Sequence, residues 1–571
     1  MPLYDASAVR AWIEDDPDHA TADELRALLD AAESGDAAAG EDLAERFSGM
    51  LAFGTAGLRG HLGGGPNRMN RAVVIKAAAG LMAVLAAHVG EGFTVVIGYD
   101  ARRGSHAFAL DTAAVATAAG GRALLLPRPL PTPVTAFALR HLGCDAAVMV
   151  TASHNPPEDN GYKVYLGGRV VTDSGQGSQI VPPFDAEIFR AIQAIPSVAS
   201  VPRAQSGWEI LGDDIVEAYL ARAVSLVPAG PKDLRIVLTS MHGVGGAPAL
   251  EALHRAGFSD VHVVAEQQEP DPDFPTVRFP NPEEPGALDL SMALARKVGA
   301  DLVLANDPDA DRCSAAIPDP TRPQGWRQLS GDEVGQVLGL QAAREHEGEG
   351  EGSGVTATGA VLANSVVSSR LLGRIAADHH LGHRTTLTGF KWISRAPGLV
   401  FGYEEALGYC VDPGYVRDKD GISACLKIAT LAWELKGDRG RTLQDALDGL
   451  ALRYGLHLTS PLTIRVEDTG LIAAGMANLR EHGVSSLAGS PVTSTVDLSA
   501  GTDELPPTDG LVFVTEADDR VVARPSGTEP KLKCYCEVIV PVADGDVAAA
   551  RRTAARRLEA VKTDMRGALG I

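Results

Sequence analysis

The chain has 571 residues, 45% of them hydrophobic and 22% charged, with a net charge of −22. At roughly 100–200 residues per domain this length implies three to five domains, and an acidic chain without an evident basic face argues against a nucleic-acid partner. No uncharged apolar run reaches the ~18 residues that a bilayer span requires, and the acidic N-terminus, MPLYDASAVRAWIEDDPDHA, lacks the basic-then-apolar order of a signal peptide.

In chain order, FTVVIGYD (Phe93–Asp100) is a short apolar run stopped by a polar turn, which predicts a strand. SHAFALDTAAVATAAGG then predicts a helix ending at Gly120, and RALLLP the next strand. The helix-like PVTAFALRHLG leads into a further strand, AAVMVTASH. The pattern restarts at LRIVLTSMHGVGGAPALEALHRAGF and runs to ADLVLANDPDADR. It restarts again with the helix-like GDEVGQVLGLQAAREH and the strand-like LVFGYEEALGY. Such alternation predicts sheets covered by helices. From about residue 453 the texture becomes strand-rich around one helix, which predicts a final α+β domain. EHEGEGEGSG (Glu345–Gly354) offers nothing to bury and is expected to be a mobile surface insertion. The six cysteines, Cys144, Cys313, Cys410, Cys425, Cys534 and Cys536, form no CxxC pair or zinc spacing. They are expected to be reduced thiols in a cytoplasm.

DLVLANDPDADRCSA carries Asp307, Asp309 and Asp311 after an apolar strand. Three carboxylates at i, i+2 and i+4 in a tight loop can converge on one hard cation. An EF-hand needs glycine and glutamate where this chain has Arg312 and Pro318. A haloacid-dehalogenase-type phosphatase uses an aspartate pair, and the third aspartate and the arginine fit it poorly. A solvated acidic turn is the remaining alternative. Magnesium often bridges carboxylates to phosphate oxygens, and RVVARPSGTEPKLKCYCEV contains a suitable loop. In it Gly527 lets backbone N–H groups turn inward, Ser526 and Thr528 add hydroxyls, and Arg524 can grip two phosphate oxygens. A plain hairpin turn has the same composition, and the Walker A order is missing.

VMVTASHNPPEDNGYKVY places Ser153 beside His154 where a strand ends. No G-x-S-x-G elbow surrounds the serine, so an α/β-hydrolase reading is weak. At an extended strand exit the two side chains are expected to diverge, which suits a nucleophile–base pair poorly. A serine presented there, with a metal loop and a phosphate loop elsewhere in the chain, points to phosphoryl transfer through the serine itself. A phosphoserine brings a charge near −2 that a cation partly neutralises.

Four motifs occur in one order: TASHNPPEDNGYK, DPDADR, GYEEALG and RPSGTEPK. With FGTAGLRG, PNPEEP and TLTGFKWI, they make the chain resemble the α-D-phosphohexomutase superfamily, the phosphoglucomutases and phosphomannomutases. Within it the likeness is to the larger subgroup with the GYEEALG sugar-binding loop. The resemblance implies four domains around a central cleft: three similar α/β domains with mixed sheets, and a C-terminal α+β domain. The spans expected are 1–205, 206–318, 319–452 and 453–571. It implies that Ser153 is the phosphoserine and that Asp307, Asp309 and Asp311, with Ser153, hold Mg²⁺. Arg59, His154, Lys163, Arg312 and Lys419 would line the reacting centre, with Lys163 or Lys419 moving a proton if burial lowers its pKa. Gly389, Lys391 and Glu404 would bind the sugar, and Arg524, Ser526, Gly527, Thr528 and Lys531 its non-reacting phosphate.

The activity implied is interconversion of sugar 1-phosphate and sugar 6-phosphate of glucose or mannose. It would run through a sugar 1,6-bisphosphate, which is both intermediate and activator, with small sugar phosphates as partners and neither nucleic acid nor membrane. A phosphopentomutase, a sugar-bisphosphate synthase and a non-enzymatic sensor are the alternatives. Many phosphoglucomutases have serine two residues after the sugar-binding glutamate; Ala406 stands there in this chain, which leaves the preferred sugar open.

Overall fold

The computed structural model describes residues 3–53, 57–347, 359–466, 470–525 and 531–570. The insertion expected around Glu345–Gly354 falls largely outside the described residues. Two compact units divide the chain, Met1–Gln328 with Gly408–Thr430, and Leu329–Leu407 with Leu431–Ile571.

The first unit opens with three helices, Ala6–Asp15, His19–Glu33 and Ala37–Arg46. Each begins at an aspartate cap whose carboxylate accepts from backbone N–H groups of the first turn. Val9, Ile13, Leu25, Leu29 and Leu43 close a small core between them. In sequence this stretch shows only its acidity, because its caps and charges outnumber its apolar stripe. Next comes a mixed sheet, in the order Leu58–His61, Asp159–Leu166, Ala146–Val150, Thr94–Tyr99, Arg122–Leu125 and Glu209–Ile210. The three strands in the middle of the apolar alternation run parallel. Strand Asp159–Leu166 turns back antiparallel on Ala146–Val150.

Ala146–Val150 is buried along its whole length, as strands covered by helices on both faces must be. Helix Arg71–Val89 starts at the Asn70 cap and ends at Gly90, where φ is 79°. Among the described residues it is the one helix long and apolar enough to cross a membrane. It is mostly buried inside the protein, against helices Ser105–Ala118 and Phe184–Gln193. Its apolarity on every face is that of a core helix.

A second mixed sheet in the same unit has the order Trp326–Gln328, Cys313–Pro318, Leu302–Asn306, Ile236–Thr239 and Val261–Val263. Leu302–Asn306 is parallel to Ile236–Thr239 and antiparallel to Cys313–Pro318.

In the second unit, parallel strands Gly382–Thr386, Val361–Ser365 and Leu399–Glu404 pack beneath helix Gly331–Glu345. Ser330 and Glu333 form a capping box at that helix's start. The C-terminal part is an antiparallel sheet ordered Leu456–Arg465, Lys531–Val540, Arg520–Pro525, Leu511–Thr515, Ser490–Asp497 and Ser486–Leu487. Two helices cover it, Gly470–His482 and Val547–Leu569, where the texture predicted one. The shorter helix carries Gly470 and Gly475, which blur its pattern, yet Ile472, Gly475, Met476 and Leu479 still make a buried stripe at helical spacing. Three α/β layers followed by an α+β part match the expected fold class.

Candidate active site

Strand Ala146–Val150 delivers the chain to a loop at residues 151–158. There Ser153 has a left-handed backbone, φ 53°, and is 2% exposed. Its N–H donates to Thr151 Oγ1 at 2.9 Å. Its hydroxyl donates to Asp307 Oδ2 at 2.9 Å and lies 3.2 Å from His154 Nδ1. The two neighbouring side chains therefore meet instead of diverging. An extended exit sends successive side chains to opposite faces; the left-handed turn at Ser153 cancels that alternation.

Asp307, Asp309 and Asp311 sit in the turn between strands Leu302–Asn306 and Cys313–Pro318. Strands on both sides exclude the helix–loop–helix of an EF-hand. All three are at most 1% exposed, and one oxygen from each lies within 4.8 Å of the others. Burial on all sides also removes the solvated-turn alternative. The turn is wedged in place by its neighbours. Thr132 N–H donates to Asp309 O at 2.9 Å, and Thr132 Oγ1 to Asp309 Oδ2 at 2.6 Å. A Cβ on Gly243 would stand 2.4 Å from Pro308 Cα, and one on Gly421 2.2 Å from Arg312 O; only glycine allows these approaches.

Three buried carboxylates repel one another. Burial, then Asp309 and Asp311, push the Asp307 carboxyl well above its ordinary range. Against the same burial, Lys163, Lys419 and Arg312 hold Asp311 below it. Among the described residues, Asp309 Oδ1 and Asp311 Oδ1 are buried with no hydrogen-bond partner. Orphaned carboxylate oxygens beside a third carboxylate and a serine oxygen are the donor set of a hard divalent cation, so the residues present fit a metal.

Cationic side chains surround this cluster. Lys163 lies on strand Asp159–Leu166, opposite Met149, and is 5% exposed. Its Nζ donates to Asp309 Oδ2 at 2.7 Å and to Asp311 Oδ2 at 2.8 Å. Burial works to lower its pKa, but Asp309 and Asp311 outweigh it and hold the ammonium above its ordinary value. The expected lowering is thus not met at Lys163. Lys419 Nζ is 3.3 Å from Asp311 Oδ2. Its neighbour Asp418 is clasped by Tyr165 OH and Gln179 Nε2, both at 2.7 Å. Arg312 caps Asp307 Oδ1 with its N–H at 3.0 Å. Arg59 donates to Asn155 Oδ1 at 3.0 Å, in the serine loop. Burial, then Arg312 and Arg59, push His154 well below the usual imidazole value.

The structure brings together Ser153, His154, Arg59, Lys163, Lys419, Arg312 and the three aspartates. Thr132 and Asp418 were missed, since neither sits in a motif; their roles arise from contacts 177 and 253 residues away in sequence.

In the second unit, Glu404 ends strand Leu399–Glu404 half-buried. The next residue, Glu405, accepts from Ser365 Oγ at 3.0 Å and Ser368 Oγ at 2.8 Å. Gly389 has φ 102° and precedes the short helix Phe390–Ile393, which carries Lys391 at 6% exposure. Arg524 Nη1 donates to Thr388 Oγ1, and Lys531 begins the last strand. Ser526, Gly527 and Thr528 lie outside the described residues.

The four domain models of the phosphoglucomutase/phosphomannomutase family match residues 50–198, 216–321, 330–454 and 471–559. The chain belongs to this family. A phosphoglucomutase/phosphomannomutase family protein of Burkholderia thailandensis has the same fold, with a TM-score of 0.65 at 19% identity, covering 91% of this chain and 97% of that one. A protein of Haemophilus influenzae named probable phosphomannomutase is 44% identical over 82% of this chain and 93% of its own length. The phosphopentomutase of Mus musculus is 33% identical over 94% of this chain and 90% of its own. As a family member the chain is a sugar-phosphate mutase. The three amino-terminal helices precede the span of the first family domain.

Proposed function

We propose that the protein interconverts the 1-phosphate and 6-phosphate of glucose or mannose through a phosphoserine at Ser153. One observation carries this reading: Ser153 Oγ is held 2.9 Å from a carboxylate whose two partners have unsatisfied buried oxygens. That is a serine set beside a cation site, with a ring of basic groups for phosphoryl oxygens.

In this reading Arg524, Ser526, Gly527, Thr528 and Lys531 bind the non-reacting phosphate, and Glu404, with Gly389 and Lys391, the sugar. The free sugar hydroxyl attacks the phosphorus of phospho-Ser153; the new O–P bond forms as the Ser153 Oγ–P bond breaks. Phosphoryl transfer of this kind is mostly positioning and charge stabilisation. Arg59, Arg312, Lys163 and Lys419 supply the charge. The attacking hydroxyl gives up its proton as Ser153 Oγ takes one, and His154, 3.2 Å from Ser153 Oγ, carries it between them. The sugar 1,6-bisphosphate then turns end for end and returns its other phosphate to Ser153. Asp307, Asp309 and Asp311, with Ser153, would hold Mg²⁺, which neutralises phosphoryl charge when bound.

Ser153→Ala tests the reading. Intact mass is expected to show one phosphate on a fraction of wild-type chains and none at this position in the variant, which loses turnover. A fully active alanine variant ends the proposal. A pentose phosphate is the second reading, favoured by the likeness to a phosphopentomutase. A panel of glucose, mannose, glucosamine, ribose and deoxyribose 1-phosphates, each with its bisphosphate, decides between them by kcat/KM.

A further inference from the structure

Arg102 is 5% exposed and bears no charge-pairing role at the protein surface. It follows strand Thr94–Tyr99, whose end is tied to the serine-bearing strand by the Asp100 N–H donating to Val150 O at 3.0 Å. From there its guanidinium reaches four carbonyls of a single segment. Nη1 donates to Pro156 O at 2.7 Å and Asp159 O at 3.1 Å. Nη2 donates to Ser153 O and Asn155 O, both at 2.6 Å. These four bonds use all four terminal N–H groups. Nε faces Asp100 Oδ2 at 3.5 Å, Asp100 is fixed by the Arg102 N–H and by Ser105 Oγ, and the Phe274 ring covers the guanidinium at 4.9 Å.

We infer that Arg102 is a positioning residue for the phosphoserine loop, gathering the carbonyls of residues 153–159 on the buried side so that Ser153 Oγ faces the acidic turn. This rests on the reading of Ser153 as phosphoryl carrier. The loop has no ladder of its own to aim those carbonyls: it carries two prolines and a left-handed serine. Four converging carbonyl oxygens repel one another unless a cation with a planar fork of donors sits among them. Lysine cannot replace it, because an ammonium has three donors on one atom and a shorter reach.

The test uses the full-length chain with the best substrate of the panel above and a trace of its bisphosphate. Arg102→Ala and Arg102→Lys are expected to lose about 100-fold in kcat, the scale of an ångström-level misplacement, with KM within about threefold. Guanidinium chloride at ~20 mM, far below its unfolding range, is expected to restore at least about tenfold of kcat to Arg102→Ala and nothing to Arg102→Lys. Arg103→Ala, an exposed neighbour paired with Asp273, should behave as wild type. If Arg102→Ala does not fold, Arg102→Lys decides alone. A phosphorylated wild type alongside Arg102→Lys of wild-type kcat overturns this inference only. Loss of kcat in folded Arg102→Ala without guanidinium recovery assigns the residue to general stability and also overturns it. An unphosphorylated wild type with active Ser153→Ala removes the phosphoserine reading and this inference together.

Discussion

At the scale of single residues, Ser153 combines two demands that oppose each other. Its hydroxyl must reach Asp307 and His154, and it does so from a left-handed backbone that costs an L-residue about 1–2 kcal/mol. Strain kept at such a point has to be outweighed by surrounding contacts, here the Thr151 and Arg102 bonds. Two variants separate strain from chemistry. Ser153→Gly removes the hydroxyl and the strain; Ser153→Ala removes the hydroxyl alone. The glycine variant is expected to be more stable in urea by about 1 kcal/mol. Equal midpoints, or a more stable alanine variant, would show that the turn is not strained. The motif TASHNPPEDNGYK made Ser153 legible as a candidate, but nothing in it signalled the positive φ, because serine carries no mark of a left-handed turn as glycine does. Arg102 was illegible for a related reason. It stands beside Arg103 in YDARRGS, and only folding makes one buried and the other 60% exposed at its side chain.

At the scale of elements, the acidic turn shows what strand texture can and cannot convey. The apolar run DLVLAN predicted strand Leu302–Asn306, and the strand predicted where three aspartates would be presented. What the sequence did not show is how they are held: by Thr132 from one helix, Lys163 from a strand of another sheet, and Gly421 at the head of helix Gly421–Gly437. Those contacts are made across more than a hundred residues, and no local period encodes them. The missed amino-terminal helices are a different case, since their caps were legible and their apolar stripe was sparse. Gly421 offers a test of the packing. A methyl there meets backbone, Arg312 O and C at 2.2 and 2.6 Å, which cannot rotate aside as a side chain can. Gly421→Ala is expected to destabilise by about 1–3 kcal/mol and to weaken Mg²⁺ binding by about tenfold. Gly449→Ala is the control. It lies in helix Leu443–Tyr454, where, among the described residues, nothing beyond the helix's own backbone comes within 4 Å of the added methyl, and should stabilise by about 0.5–1 kcal/mol. Unchanged Mg²⁺ affinity in Gly421→Ala, measured by calorimetry, would mean that the turn keeps its shape without this wedge.

At the scale of the whole molecule, the chain visits each unit twice. Residues 408–430 return to the first unit, bringing Lys419 back to the aspartates it neutralises. The large apolar cores are separate: one is built on Val95, Ile97, Val148 and Val164, the other on Phe513, Val521, Cys534 and Val538. A chain of this length with distinct cores is expected to depart from two-state unfolding, and a ligand that binds only the folded form stabilises the part that carries its site. Every aspartate of the candidate metal site is in the first unit. Mg²⁺ at a hundred times its dissociation constant should therefore stabilise that unit by about 2.7 kcal/mol and leave the other nearly unchanged. Hydrogen exchange read peptide by peptide along a denaturant series assigns each transition. Protection on adding Mg²⁺ is expected in strands Ala146–Val150 and Leu302–Asn306, and not in strand Leu511–Thr515. Asp309→Asn should abolish the shift while leaving the second transition in place, because Asp309 supplies one of the two orphaned oxygens. If both units gained equal protection, the energetic separation of the two cores would be wrong. If neither did, the aspartates would not be a cation site, however well their geometry suits one.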